Sequence, residues 1–192
     1  NTASSVAYEE VKALLGGRAL LVNVIDPVTT KVARKYRHGE IGIIGTKTTV
    51  KSDIYGKKIK AINPALGVSS LATPLLAPMI EEGFFNNNIS RTIIHSYLSR
   101  PKLKRISALI LACTHYPLIR PEIELYYKNK VDIIDSAEIV AEEVAALLKK
   151  HRLLNTGNKR WQRFYVSDYT ASFEKSTKLF FRGRIRLERR LA

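Results

Sequence analysis

Residues 107–114 read S-A-L-I-L-A-C-T. The run is apolar on successive positions rather than on alternate ones. A strand with one face in water alternates; a strand covered on both faces does not, and such strands belong to parallel sheets. Runs of the same kind recur along the chain: A-L-L-V-N-V-I-D (19–26), I-G-I-I-G-T (41–46), V-S-S-L-A-T-P (68–74), V-D-I-I-D (131–135) and F-Y-V-S-D (164–168). Each is short and rich in β-branched residues, so each predicts a strand. Between them lie segments of helical character, clearest in A-E-I-V-A-E-E-V-A-A-L-L-K-K (137–150). There Val140, Val144, Leu147 and Leu148 share one face, and acids lead while lysines trail, as the helix dipole favours. Asp135 or Ser136 is placed to cap the first turn. Strands alternating with helices give an α/β fold built on open parallel sheet.

The composition is that of a globular chain with ample material for a core: 192 residues, 45% hydrophobic and 26% charged. No apolar stretch approaches the ~18 residues of a membrane span. The single cysteine excludes an internal disulfide framework and suggests a reducing, cytoplasmic setting. The chain opens on Asn1 and its one methionine is Met79, which predicts a piece of a longer protein. The net charge is +15, from 32 Lys and Arg against 17 Asp and Glu. Such an excess permits binding to nucleic acid. The cations are spread through K-V-A-R-K-Y-R-H (31–38), K-S-D-I-Y-G-K-K-I-K (51–60) and R-P-K-L-K-R (100–105), with no aromatic-interleaved RNA-binding motif. A solvated basic surface is therefore expected. The tail R-G-R-I-R-L-E-R-R (182–190), with Arg182, Arg184, Arg186, Arg189 and Arg190, is the segment expected to hold DNA non-specifically.

Five of the runs close on a small polar or acidic residue: Asp26, Thr46, Thr114, Asp135 and Asp168. In open parallel sheets ligands bind beyond the carboxyl ends of the strands. Cys113, Thr114 and His115 occupy such an end, so a reactive thiol beside an imidazole competes with the plainer reading of Cys113 as a small buried hydrophobe. One cysteine near one histidine is no zinc framework, and no metal is expected. G-I-I-G-T-K-T-T (42–49) lacks P-loop spacing, yet it turns a strand into a helix. Its backbone N–H groups and the hydroxyls of Thr46, Thr48 and Thr49 could hold a carboxylate, or simply cap the helix. By composition alone Glu81 and Glu82 are surface acids, and His38, His95 and His151 are solvated.

The stretch L-A-C-T-H-Y-P-L-I (111–119) closely resembles the second catalytic-cysteine signature of the glutamate racemases, within the aspartate/glutamate racemase superfamily. The opening N-T-A-S-S resembles the segment that follows the first catalytic cysteine of that family. N-V-I-D-P-V, I-G-I-I-G-T-K-T-T-V-K-S-D-I-Y, L-A-T-P-L-L-A-P-M-I-E-E-G, V-D-I-I-D-S-A-E-I-V-A and F-Y-V-S-D match further segments in order, so the resemblance spans roughly residues 1 to 181. It fails in the Arg-rich tail. The family's first cysteine would stand one position before Asn1, and its D-S-G and P-Y-G segments are not in this chain.

The resemblance implies cofactor-independent, two-base interconversion of L- and D-glutamate, supplying D-glutamate for bacterial peptidoglycan. Removing an α-proton and returning one to the opposite face calls for one base on each face. A thiol suits the task because its ~8.5 pKa lies near neutrality and responds to its neighbours. By the resemblance Cys113 is the base for the L-isomer, His115 assists it, and Glu81 is the acid near the thiols. Asn1, Thr2, Thr114, Thr49 and Thr46 bind substrate. The resemblance also implies two pseudo-symmetric parallel-sheet domains with the active site in the cleft between them. One would be continuous over 24–133; the other, incomplete here, would comprise 1–23 and 134–192. A homodimer is compatible with it. With one thiol, the 192-residue chain is expected not to invert glutamate. Two alternatives stay open: a non-catalytic basic module that binds nucleic acid, and another superfamily member such as an aspartate racemase.

Overall fold

The computed structural model describes residues 1–157, 161–168, 177, 181 and 185–190. Two short helices, α1 (Thr2–Val6) and α2 (Tyr8–Leu15), open the chain, and α3 (Asp26–Lys35) leads into strand β1 (Gly39–Gly45). Helices α4 (Lys47–Ser52) and α5 (Ile54–Ile62) carry the chain to β2 (Leu66–Ala72). Then come α6 (Leu76–Glu81), α7 (Asn88–Leu98), β3 (Ala108–Ala112), a 3-10 turn over Tyr116–Ile119, α8 (Arg120–Tyr126), β4 (Asp132–Asp135) and α9 (Ser136–Lys150). Beyond them β5 (Phe164–Val166) pairs in parallel with β6 (Leu187–Arg189) as a second, two-stranded sheet.

The main sheet is wholly parallel, in the order β2-β1-β3-β4. Its faces are sorted by strand alternation. Ile41, Ile43, Ala108, Ile110 and Ala112 pack on α3 and α5 through Val28, Val32, Tyr55 and Ile59. Ile44, Leu109, Leu111 and Cys113 face the other way, onto Leu76, Ile80, Ile94, Leu98, Tyr116 and Ile123 of α6, α7 and the α8 region. Helices thus cover both faces, and all of β3 is buried. That double burial is why 107–114 carries no polar alternation. The α/β architecture expected from the sequence is present.

Chain order fixes where a ligand can sit. From β1 the chain moves outward to β2, then crosses back over β1 to β3 on the other side. The direction of winding reverses between β1 and β3, which opens a crevice at their carboxyl ends. Gly45 and Ala112 are register partners at that spot. A Cβ at Gly45 would stand 3.1 Å from the Ala112 carbonyl oxygen, a tight contact that would press on the neighbouring strand end, and glycine avoids it.

One strand expected from sequence is not there. Residues 20–25 are irregular, and Leu20 is 44% exposed. The reason lies in Asn23, whose side-chain oxygen accepts from the backbone N–H of Ile25 (2.8 Å) and Asp26 (2.7 Å). That local turn competes with ladder pairing and launches α3, with Pro27 in its first turn. Helix α9 forms as expected, and Asp135 caps it by accepting from Ala137 N at 2.8 Å. Its apolar stripe of Val140, Val144, Leu147 and Leu148 is only half-buried.

Candidate active site

Cys113 follows the last residue of β3 and is buried, 5% exposed. Its Sγ lies 3.7 Å from His115 Nδ1, within reach of a hydrogen bond to sulfur. The other ring nitrogen, His115 Nε2, is 3.0 Å from Glu81 Oε1. Glu81 is the last residue of α6, which rests on the Tyr116–Ile119 turn through Leu76, Met79 and Ile80. Thiol and imidazole, two residues apart, therefore form one line with a carboxylate thirty-odd residues away in sequence. The carboxylate favours a proton on Nε2, which leaves Nδ1 as an acceptor facing the sulfur. Burial pushes the Cys113 thiol above its ordinary pKa. The backbone N–H of His115 opposes that rise, and the negative charge of Glu81 adds to it. The resting group is therefore a protonated thiol with a proton acceptor beside it.

Across the crevice, at the end of β1, three hydroxyls meet. Thr46 caps α4, its Oγ1 accepting from Thr49 N at 3.3 Å. The Thr46 and Thr49 hydroxyl oxygens are 3.0 Å apart, and Thr2 Oγ1 lies 3.0 Å from the first and 3.4 Å from the second. Thr2 belongs to α1, which docks on α4. The side-chain oxygen of Asn1 accepts a hydrogen bond from the Tyr55 hydroxyl. Its amide nitrogen is buried and has no partner among the described residues. Thr114 stands exposed in the turn just past Cys113. Thus the structure gathers Cys113, His115 and Glu81 on one strand end, and Thr2, Thr46, Thr49 and Asn1 beside the next.

Three site residues escaped the sequence reading. Tyr55 is 2% exposed, and burial followed by the charge of Cys113 drives its phenol far above the usual range. Thr73 and Tyr116 are wholly buried, their hydroxyl oxygens 2.6 Å apart, and the Tyr116 hydroxyl also donates to the Thr73 carbonyl at 3.2 Å. Thr73 N in turn donates to Gly45 O at 2.9 Å. This knot ties the ends of β1, β2 and β3 together, with Tyr116 in the same core cluster as Cys113. Thr73 closes its apolar run as Thr46 closes the preceding one, so the strand-end rule, applied to every run, finds it.

The donor chemistry is that of carboxylates, hydroxyls and one thiol. Among the described residues no group of three or more His, Cys, Asp and Glu side chains is placed to hold a metal ion. No helix among them is long and apolar enough to cross a membrane.

Comparison with known proteins places this geometry in context. The family model described as Asp/Glu/Hydantoin racemase matches residues 1–144. A glutamate racemase of Streptococcus pneumoniae serotype 19F is 39% identical over 176 residues, covering 90% of this chain and 65% of the relative. That of Geobacter metallireducens is 36% identical over 186 residues, covering 96% of this chain and 68% of the relative. The chain thus spans about two thirds of the length of the curated relatives it matches. Among solved structures, the glutamate racemase of Francisella tularensis in complex with D-glutamate superposes with a TM-score of 0.90 at 30% identity, over 100% of this chain and 70% of that one. The Thermus thermophilus glutamate racemase in complex with beta-chloro-D-alanine gives 0.80 at 30% identity, over 99% and 69%.

Proposed function

The chain belongs to the Asp/Glu/Hydantoin racemase family, and from that premise we propose that it carries one face of a glutamate racemase site, with Cys113 as the base that takes the α-proton of L-glutamate. The observation that carries this reading is the line Cys113–His115–Glu81 at the sheet's switch point, 3.7 Å and 3.0 Å between successive partners. The α-hydrogen of an amino acid is a very weak acid, so the base must be both close and basic. A thiol whose pKa is raised by burial is a stronger base once ionised. His115 Nδ1 draws the thiol proton as substrate enters, and Glu81 stabilises the imidazolium that results. The thiolate then removes the α-proton.

The hydroxyls of Thr2, Thr46 and Thr49, the unpaired amide nitrogen of Asn1 and the exposed Thr114 would hold the substrate carboxylates. They are neutral donors, those of Thr2, Thr46 and Thr49 near the start of α4, so they would bind anions without competing as acids or bases. Inversion requires a second proton donor on the opposite face, and Cys113 is the chain's one cysteine. The division into a continuous domain over 24–133 and a second one from 1–23 and 134–192 would put that face across a cleft. D-glutamate so made would serve peptidoglycan synthesis.

The test is proton exchange read by NMR in deuterium oxide, together with chiral chromatography. The 192-residue chain should exchange the α-hydrogen of L-glutamate, faster than that of L-aspartate, and should not accumulate D-glutamate. Faster exchange of aspartate would assign the site to the other substrate. Efficient inversion by this chain would remove the need for a second thiol.

A further inference from the structure

The edge of the main sheet opposite the thiol has its own chemistry. The four strands start nearly level, with Gly39 beside Leu66, Ile41 beside Ala108 and Ala108 beside Asp132. The connections that enter them therefore share one surface. They are also stitched together. The Asn63 side-chain nitrogen, ahead of β2, donates to Tyr36 O at 2.8 Å and Ala33 O at 3.3 Å, ahead of β1. The Tyr127 hydroxyl, ahead of β4, donates to Leu103 O at 3.1 Å, ahead of β3.

Every one of these connections brings exposed cations to the edge. Arg34, Lys35 and Arg37 precede β1, and Lys60 precedes β2. Arg100, Lys102, Lys104 and Arg105 precede β3, and Lys128 and Lys130 precede β4. The acids here are few and engaged: Glu40 accepts from Ser69 Oγ at 2.6 Å, and Asp132 holds Lys35 Nζ at 2.5 Å. The helix dipole accounts for Lys35 and Lys60, which sit in last turns. It does not account for Lys102, Lys104, Arg105, Lys128 and Lys130, which lie on turns and connections. Aromatic rings adjoin the cations ahead of β4, and the Tyr127 hydroxyl reaches Leu103 O between Lys102 and Lys104. Tyr126 and Tyr127 meet edge to face at 4.9 Å, and the exposed His95 lies 5.4 Å from Tyr126.

We propose that this amino edge of the sheet is a binding surface for a nucleic-acid strand, its phosphates lying along the cations ahead of β3 and β4 and its bases against the Tyr126–His95 rings. Cations that track a backbone beside rings that accept stacked bases are what single-stranded nucleic acid requires. A bilayer would instead call for an amphipathic helix with its cations on one polar face, whereas these cations lie on loops at a sheet end. The proposal stands apart from the reading of the thiol site, which occupies the other edge.

The experiment is fluorescence anisotropy of the 192-residue chain with a labelled 20-nucleotide single-stranded DNA, over a series of salt concentrations. Two variants remove the charge, Lys102→Ala/Lys104→Ala/Arg105→Ala and Lys128→Ala/Lys130→Ala, all at exposed positions. A third, Lys149→Ala/Lys150→Ala at the end of α9, removes two exposed cations elsewhere, and a fourth chain omits residues 182–192. Each edge variant should weaken binding at least fivefold. Combining them should flatten the slope of log affinity against log salt by up to about 3.5, since each lost phosphate contact on a single strand is worth about 0.7. The α9 variant should stay within twofold. The proposal is overturned if the α9 variant or the tail deletion weakens binding as much as the edge variants do. It is also overturned if the chain ignores the oligonucleotide at 50 mM salt, or ignores it while binding vesicles that contain phosphatidylserine.

Discussion

The two sides of the crevice are held very differently. Cys113 stands on a strand buried along its whole length, and His115 and Glu81 are carried by a turn and a helix packed into the same core. Asn1 and Thr2 stand on α1, which has no buried residue, followed by α2, which has none either. Val6, Val11 and Leu14 on those helices are 57%, 40% and 75% exposed. Apolar burial is the main stabilising term in a fold, and regions poor in it open first. The thiol thus rests on a closely packed support, while Asn1 and Thr2 rest on helices that bury little apolar surface in this chain.

The largest expected effect falls on the closely packed side. Cys113→Ser should lower the exchange of the L-glutamate α-hydrogen at least 100-fold, about 2.7 kcal/mol in barrier, with the melting temperature unchanged. A hydroxyl is nearly isosteric with a thiol but hardly ionises near neutrality. If the variant keeps more than a tenth of the rate, the thiol is not the base and the buried side of the crevice is merely structural.

The contrast in support can be tested without any chemistry. Leu109→Ala empties a fully buried position of β3 and should cost about 2–5 kcal/mol in urea unfolding. Leu14→Ala, on α2, should stay within about 0.5 kcal/mol, as surface substitutions do. Equal losses would mean that α2 is part of the same cooperative core, and the comparison between the two sides would fail.

Glu81 should show a smaller effect with a definite sign. Its negative charge is one of the influences that hold the Cys113 thiol above its ordinary pKa, after burial. Glu81→Gln removes that charge, so the thiolate forms at lower pH. The pH profile of Cys113 alkylation by iodoacetamide should shift downward. Exchange of the glutamate α-hydrogen should nevertheless slow about tenfold, about 1.4 kcal/mol, because the His115 ring loses the partner that fixes its tautomer. An upward shift of the alkylation profile would show that Glu81 does not act through the line to the thiol.

How much of this was open to sequence reading depended on whether the cause was local. Strands β1 and β3 could be read because burial on both faces leaves an unbroken apolar run. Residues 19–26 carry the same apolar signature, but Asn23 in the middle supplies its own acceptor to the backbone, and the run ends as the entry to α3. The closeness of Cys113 to His115, and of Thr46 to Thr49, follows from spacing along one element. The approach of Glu81 to His115 does not, because it depends on how α6 settles against the turn after β3; only the family resemblance suggested it. The contacts of Tyr55 with Asn1, and of Thr73 with Tyr116, join positions 54 and 43 residues apart. No periodicity announces contacts of that kind.

The smallest expected effect compares two hydroxyls of one cluster. Thr49 is 2% exposed, and its Oγ1 lies 3.0 Å from that of Thr46 and 3.4 Å from that of Thr2. Thr49→Val keeps the shape and removes the hydroxyl, leaving the half-buried Thr46 with one partner fewer. The net cost of a lost internal hydrogen bond is about 1 kcal/mol, and it should appear in full as reduced stability toward urea. Thr2 offers the same hydroxyl from the exposed α1, where water replaces whatever the protein loses. Thr2→Val should therefore change stability by less than about 0.5 kcal/mol. Both variants should weaken glutamate binding, as measured by titration calorimetry, because each removes a donor from the same patch. If Thr2→Val proves as costly to stability as Thr49→Val, then α1 is locked onto α4 in the unliganded protein, and the exposed side of the crevice is as firmly built as the side that carries the thiol.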